Sequence, residues 1–391
     1  MKAKELRRFR RTRGVVPSAR VRILIDYRPA LRQRTGAGEY AHQLAAAVMR
    51  KLGRGDELTI FSSSWKDRLA SNVLPEARHV DARVPVRVLN LAWHRLEWPA
   101  IERFAGPVDI AHSMHPLLLP SRSAAQVVTI HDLYFFDHPE RTSAEIRRDY
   151  APLVQNHARR AAFVVVISEY TAGQVERRLG VARDRIVLCP PGAPNWTPRP
   201  QPVARGPSLF VGTLEPRKNV SALLDAYERL ASTRTDVPPL ILVGRATDQS
   251  ERLLERLRQP ALQGRARHVG YVTDKERERL YREASILVMP SHDEGFGLPA
   301  LEAMSIGLPV VAANRGALAE LRSGASALVD PDDPEALANA VQALLVEPSQ
   351  YADAVARGLH LARQFSWDET AGRLLAAYER AIRDRRRGTS T

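Results

Sequence analysis

Short apolar runs bounded by turn residues alternate with longer amphipathic segments almost from end to end, the pattern of a parallel sheet covered by helices. In the first half the runs predict strands at Val21–Asp26, Leu58–Phe61, Asp109–His112, Val127–His131 and Phe163–Ile167. Helices are expected over Glu39–Leu52, Ser143–Ala161 and Thr171–Leu179. The pattern breaks at Cys189-Pro190-Pro191-Gly192-Ala193-Pro194, with further prolines up to Pro207. Strands resume at Ser208–Val211, Leu240–Val243, His268–Val269, Ile286–Met289 and Pro309–Ala312. Phe365-Ser366-Trp367 opens a last amphipathic helix to about Ile382, with Ser366 as its N-cap. The chain therefore reads as α/β in two halves: a domain over 21–192, a Pro-rich linker over 193–207, a second domain over 208–364 and a terminal helical segment over 365–391. Two such halves place a ligand in the crevice between them, at the carboxyl ends of the strands.

Composition agrees with that division, since 391 residues exceed one ordinary core. No apolar run reaches the roughly 18 residues of a membrane span, and the basic N-terminus lacks the apolar core of a signal peptide. The lone cysteine, Cys189, suits a reducing cytoplasm; ending the run Ile186-Val187-Leu188, it reads as a small strand residue rather than a nucleophile. The net charge is +14, and residues 1–22 carry nine basic side chains against one acidic. Residues 1–20 therefore read as a basic tail, disordered or a weakly anchored helix. Its partners would be an anionic membrane surface or nucleic acid, unless it is a solvated tail; no nucleic-acid-binding signature accompanies it. Trp93, Arg95, Trp98 and Arg103 give residues 87–104 an amphipathic character, read as a buried core helix with lipid or acceptor contact as the other possibility.

The most informative chemistry lies in Ser291–Ala313, SHDEGFGLPALEAMSIGLPVVAA. Glu294 and Glu302 stand at either end of a Gly-Phe-Gly-Leu-Pro turn that follows a strand and opens a helix. Pro299 suits the first helical position and Gly307 the stop. Gly295 and Gly297 let bare backbone approach a ligand, and the helix start favours phosphate. Two carboxylates around a phosphate cradle suit a sugar attached to a nucleotide. The plainer alternative is a solvated Glu294 and a Glu302 that complements the helix dipole.

Elsewhere, Gly212-Thr213-Leu214-Glu215-Pro216-Arg217-Lys218-Asn219 carries a strand end into a cationic turn, where two fixed charges can neutralise a leaving diphosphate. Val269-Gly270-Tyr271-Val272-Thr273-Asp274 is a strand-to-helix turn, with Asp274 at the helix start. Gly36-Ala37-Gly38 links the first strand to the first helix without the third glycine of a dinucleotide fingerprint. His131-Asp132 ends a buried strand, and Ser168 is placed to cap the following helix.

The Ser291–Ala313 segment resembles the E-x7-E signature of the retaining glycosyltransferases of family 4, and the resemblance covers the chain from about Val21. It implies the GT-B fold, two doubly wound Rossmann-like domains facing across a cleft, the second holding the sugar nucleotide and the first the acceptor. By that resemblance Glu294 contacts donor-sugar hydroxyls and Glu302 the ribose, while Gly295, Phe296, Gly297 and Leu298 cover diphosphate and sugar. Lys218 matches the family's diphosphate ligand. Many members carry an Arg where this chain has Thr213, so Arg217 is the substitute. Tyr271 and Val272 match the turn that reads the base, Gly36, Gly38 and Gly212 the glycine turns near the diphosphate, and His131 a residue reaching the sugar's primary hydroxyl side. The implied reaction is retaining hexosyl transfer to a glycan or lipid-linked acceptor in polysaccharide biosynthesis, with GDP-mannose the favoured donor and UDP-sugars next. No His/Cys/Asp/Glu grouping has metal-ligand spacing and no D-x-D stands where a metal-bound diphosphate needs it, so metal-independent transfer without a further cofactor is expected. A sugar-nucleotide epimerase, or a non-catalytic membrane- or nucleic-acid-binding protein, are the competing readings.

Overall fold

The computed structural model describes residues 20–31, 34, 36–139, 150–203, 205–321 and 325–388. The basic segment over residues 1–19 and the start of the helix expected from Ser143 lie outside them. Two fully parallel sheets form. The first contains β1 (Arg22–Asp26), β2 (Glu57–Ser63), β3 (Arg78–Ala82), β4 (Ile110–Ser113), β5 (Ala125–Ile130), β6 (Phe163–Val166) and β7 (Ile186–Leu188), in the order β3-β2-β1-β4-β5-β6-β7. The second contains β8 (Ser208–Val211), β9 (Leu240–Val243), β10 (Ala266–Gly270), β11 (Ile286–Met289), β12 (Val310–Ala313) and β13 (Ser326–Val329), in the order β10-β9-β8-β11-β12-β13. Each strand order reverses beside its sheet's first strand, at β1/β4 and at β8/β11. That reversal opens a crevice at the strands' carboxyl ends.

The central strands form where the apolar runs predict them, because both their faces are buried: Leu24, Ile25, Val164, Leu242 and Val288 are fully enclosed. The two strands the pattern does not announce, β3 and β13, are sheet edges whose residues are mostly half-exposed, so no continuous apolar run is needed. Helix α1 (Ala37–Lys51) begins two residues before the expected start. Ser168 caps Glu169–Gln174, its Oγ accepting from Thr171 N at 3.1 Å, and a π-turn over Val175–Leu179 carries the chain to Gly180.

The second half returns to the first. The helix Trp367–Gly388 packs along α1, and its Tyr378 hydroxyl meets His112 Nδ1 on β4 at 2.5 Å. Ser366 Oγ accepts from Glu369 N at its start. Where the chain recrosses, Ala193 N donates to Phe365 O at 3.0 Å and Gly192 abuts the Trp367 backbone. Arg199 in the Pro-rich stretch donates to Ala284 O, pinning that segment to the second half. Cys189 is buried and burial pushes its thiol up to about 12, which agrees with a packing role.

The 87–104 region departs from a core helix. Helix α2 (Val86–Leu96) buries Leu89 and Trp93 but leaves Val88, Leu91 and Leu96 exposed, and Trp98 beyond it is exposed as well. Only the stripe of Leu89 and Trp93 joins the core, packed with Leu24 and Phe61 of the sheet. Among the described residues no helix is long and apolar enough to cross a membrane.

Candidate active site

Between the two sheets lies a cavity of about 400 Å³, lined from both. The first half contributes Arg34, Gly36, Glu39 and Tyr40 around the start of α1, and His131 and Asp132 after β5. The second contributes Gly212, Arg217 and Lys218 after β8, Tyr271 and Val272 after β10, and Glu294, Gly295, Phe296, Gly297, Leu298 and Glu302 after β11. Of the residues that the family resemblance assigns to the site, Gly38 alone stands off this lining. A Cβ there would sit 2.5 Å from Pro29 O, so its glycine serves the close seating of α1 on the Arg28–Ala30 turn.

Local sequence explains how the loop after β11 is held. Gly297, at φ 107°, takes a conformation that a side chain resists, and the helix Leu298–Ser305 starts there with Pro299 in its first turn. Leu308 N to Ala303 O and Gly307 N to Met304 O close a Schellman motif, with Gly307 at φ 78°. Gly295 faces the other half so closely that a Cβ would lie 2.0 Å from His131 O. Across the same seam Glu320 accepts from Tyr170 N.

The carboxylates are not surface groups: Glu294 and Glu302 are each 7% exposed. Glu294 Oε1 accepts from Lys218 Nζ at 2.6 Å and from Ser291 Oγ at 2.8 Å, and its Oε2 lies 3.6 Å from Arg217 Nη1. Burial pushes the Glu294 carboxyl upward, but Lys218 and Arg217 together outweigh burial and hold it below the ordinary range. Glu302 goes the other way. Burial raises it, and Arg277, whose Nη2 lies 3.3 Å from Oε1, offsets only part. Its place in the second helical turn, enclosed and paired to Arg277, rules out simple dipole complementation.

Arg217 is the hub. It donates to Glu215 Oε1 at 2.9 Å and to Asp293 O at 3.0 Å, approaches Asp132 at 3.8 Å, and lies over the Tyr134 ring. Burial opposes its charge, yet Glu294, Asp132 and Glu215 keep it firmly protonated. His131 Nε2 donates to Met114 O at 3.2 Å; since a carbonyl only accepts, the neutral ring is left with Nδ1 as an acceptor. Burial lowers its pKa, so the ring stays neutral near pH 7. Asp293 is raised to about 6, first by burial and then by Asp132. The arrangement offers hydroxyl acceptors, backbone donors at a helix start and two cations, the groups needed to hold a sugar diphosphate and stabilise its departure.

Sequence reading missed Arg277, Arg34, Glu39 and Asp293. Arg277 is one charged residue among many on a polar helix, Asp274–Glu283, and only tertiary contact sets it against Glu302. Arg34 pairs with Asp274 across the cleft at 3.3 Å. Asp293 adjoins a residue singled out and had a signal, namely its place in the turn itself.

Residues 207–347 match the family described as Glycosyl transferases group 1, and residues 34–194 match Glycosyltransferase Family 4. The chain is 33% identical over 273 residues to the O-antigen chain mannosyltransferase B of Escherichia coli, covering 67% of this chain and 72% of the relative. It is 35% identical over 247 residues to the D-inositol 3-phosphate glycosyltransferase of Acidothermus cellulolyticus, there covering 58% of this chain and 55% of the relative. Among solved structures, the sucrose-phosphate synthase of Thermosynechococcus elongatus superposes with a TM-score of 0.76 at 22% identity, over 93% of this chain and all of that one. WaaG, a glycosyltransferase involved in lipopolysaccharide biosynthesis, gives 0.69 at 16% identity, over 91% and 98%. The fold is thus shared with GT-B glycosyltransferases.

Proposed function

The chain belongs to the family 4, group 1 glycosyltransferases, and from that membership we propose that it moves a mannosyl group from GDP-mannose to a glycan or lipid-linked acceptor, with retention at the anomeric carbon. The observation that carries this reading is the Glu294–Lys218–Arg217 cluster facing His131 across one cavity. Mannosyl is favoured over other hexosyl groups by the likeness to an O-antigen mannosyltransferase over most of its length.

In this reading the donor diphosphate lies against the Gly295–Leu298 backbone and the start of the Leu298–Ser305 helix, where unpaired N–H groups meet negative charge. Lys218 and Arg217 neutralise the leaving diphosphate, a role that makes a metal ion unnecessary. Glu294 accepts from sugar hydroxyls, Glu302 from the ribose, and His131 Nδ1 from a hydroxyl on the first-half side. As the bond from the anomeric carbon to the phosphate oxygen breaks, the acceptor oxygen attacks from the same face. Its proton passes to the departing phosphate oxygen, so no enzyme nucleophile enters.

A panel of nucleotide sugars in a thermal-shift assay tests the donor, because a ligand that binds the native state raises the melting point. GDP-mannose should give the largest rise, and GDP a smaller one. Anomeric configuration of the product by NMR, with EDTA present throughout, tests retention and metal independence. An inverted product, or turnover abolished by EDTA, overturns the corresponding part. In the same reading the basic segment over residues 1–19 meets anionic lipid: its deletion should weaken binding to anionic vesicles more than turnover of a soluble acceptor, and equal vesicle binding by both forms would remove that role.

A further inference from the structure

Resting on the function proposed above, we propose that the acceptor's reactive end is an uncharged sugar. Asp132 holds it through a hydroxyl next to the attacking one, and acceptors with a phosphate at that end are turned away. Retention dictates where the acceptor stands: its oxygen approaches the anomeric carbon from the side on which the diphosphate leaves. Arg217 marks that side, since it neutralises the departing charge. Two first-half side chains reach Arg217. Asp132 Oδ2 lies 3.8 Å from its Nη1, and the Tyr134 ring centre lies 5.6 Å from its guanidinium carbon. Asp132 is the one that lines the cavity.

This carboxylate has capacity for a ligand. The Asp132 side chain is 30% exposed, so a molecule in the cavity can touch it. Its Oδ1 accepts from Tyr134 N at 3.3 Å, which aims the group. Its Oδ2 stands beyond hydrogen-bond range of Arg217, and once a diphosphate takes the guanidinium it is open to a hydroxyl. A sugar carries hydroxyls on adjacent carbons, so one can donate to Asp132 while its neighbour attacks. The attacking hydroxyl still gives its proton to the departing phosphate oxygen. Asp132 accepts a hydrogen bond and takes no proton, so its share is binding and orientation.

Charge selects the class of acceptor. Among the described residues, the charged side chains with which the first half lines the cavity are Asp132, Glu39 and Arg34. Glu39 is 8% exposed; its Oε1 accepts from Gln43, and its Oε2 has no hydrogen-bond partner. Arg34 is paired with Asp274 across the cleft. His131 adds no charge near pH 7, because burial lowers its pKa. Arg217 and Lys218 lie on the opposite wall, where the donor diphosphate occupies them. A second phosphate, brought in at the acceptor's reactive end, would meet Asp132 and Glu39 with no unpaired cation on its own wall. Like charges so placed in a partly enclosed site repel strongly. Sugar hydroxyls, which donate, suit both carboxylates, and a lipid-linked chain fits when its phosphate lies away from the reacting sugar.

The test measures transfer from GDP-mannose to octyl α-glycosides of mannose, glucose and galactose, each with and without one phosphate ester on the sugar. Wild type should use at least one neutral glycoside, with kcat/KM about tenfold or more above that of its phosphorylated form. Asp132→Asn keeps the shape and loses the charge, so KM for the neutral glycoside should rise about tenfold and the gap between the two forms should narrow. The monodeoxy glycoside lacking the hydroxyl beside the attacked one should be penalised about tenfold by wild type and hardly at all by Asp132→Asn. KM for GDP-mannose and the thermal shift it induces should stay within about twofold of wild type, which a role confined to steering Arg217 would not allow. Phosphorylated glycosides used as well as neutral ones overturn the proposal. So does a protein that binds GDP-mannose yet uses no neutral glycoside, an Asp132→Asn acceptor KM equal to wild type, or donor binding lost in step with acceptor use. A wild type that shows no thermal shift with GDP-mannose sinks the donor reading, and this inference with it, so the two failures are read apart.

Discussion

Glu294 keeps its charge in a place that opposes charge, because Lys218 at 2.6 Å and Arg217 at 3.6 Å outweigh burial. The substitution Glu294→Gln preserves shape and the Ser291 contact while removing that charge. It should lower kcat at least a hundredfold, about 3 kcal/mol, with the GDP-induced thermal shift retained. A near-normal kcat would remove Glu294 from the chemistry. Asp293, next to it, is protonated more readily in the folded chain, at about 6, than in an unfolded one. A raised carboxyl favours the fold below the unfolded value near 4 and loses that contribution as pH climbs through 6. Wild type should therefore lose stability relative to Asp293→Asn between pH 4 and 7, by on the order of 3 kcal/mol at most. Parallel denaturation curves at both pH values would contradict this. The two carboxylates were legible in the sequence because a Gly-Phe-Gly turn at a strand end announces exposed backbone. Their burial and their partners were not, since Lys218 and Arg277 arrive from distant segments.

At the scale of elements, the loop after β11 is shaped by three glycines that do different things. Gly297 supplies a positive φ, Gly307 closes the helix, and Gly295 permits contact with His131 O. A methyl group at Gly295 has backbone, not a flexible side chain, within 2.0 Å, so the loop must retreat from the first sheet. Gly295→Ala should cost more than about 2 kcal/mol in chemical denaturation and reduce kcat/KM along with it. A stable, fully active variant would mean that the seam opens without consequence. Sequence pattern found β1, β5, β8 and β11 within a residue or two, for enclosed strands must be continuously apolar. It passed over β3 and β13, whose edge positions relax that demand, and it read α2 as a core helix, which holds for the stripe of Leu89 and Trp93 but not for Val88, Leu91 and Leu96.

Across the whole molecule, the crevice depends on a C-terminal helix that belongs by sequence to the second half and by packing to the first. His112, enclosed between β4 and Tyr378, is lowered to about 3 by burial and stays neutral. An unfolded chain binds a proton there near 6.5, so this contribution is present above that pH and drains away as the solution is acidified toward 3. Acid should therefore loosen the helix on its sheet, and His112→Gln should flatten the decline in stability between pH 7 and 4. An equally steep decline in the variant would assign the acid sensitivity elsewhere.

The recrossing at Ala193 and Phe365 means that the polypeptide is laced through both lobes, rather than strung as two beads. A gene severed within the Pro-rich stretch would give an amino-terminal fragment whose sheet lacks the cover of Leu374, Tyr378 and Ile382. The carboxy-terminal fragment would carry that same apolar stripe with nothing to lay it on. Such fragments should be insoluble when made apart and assemble when made together, a route to an enzyme whose activity reports the meeting of its pieces.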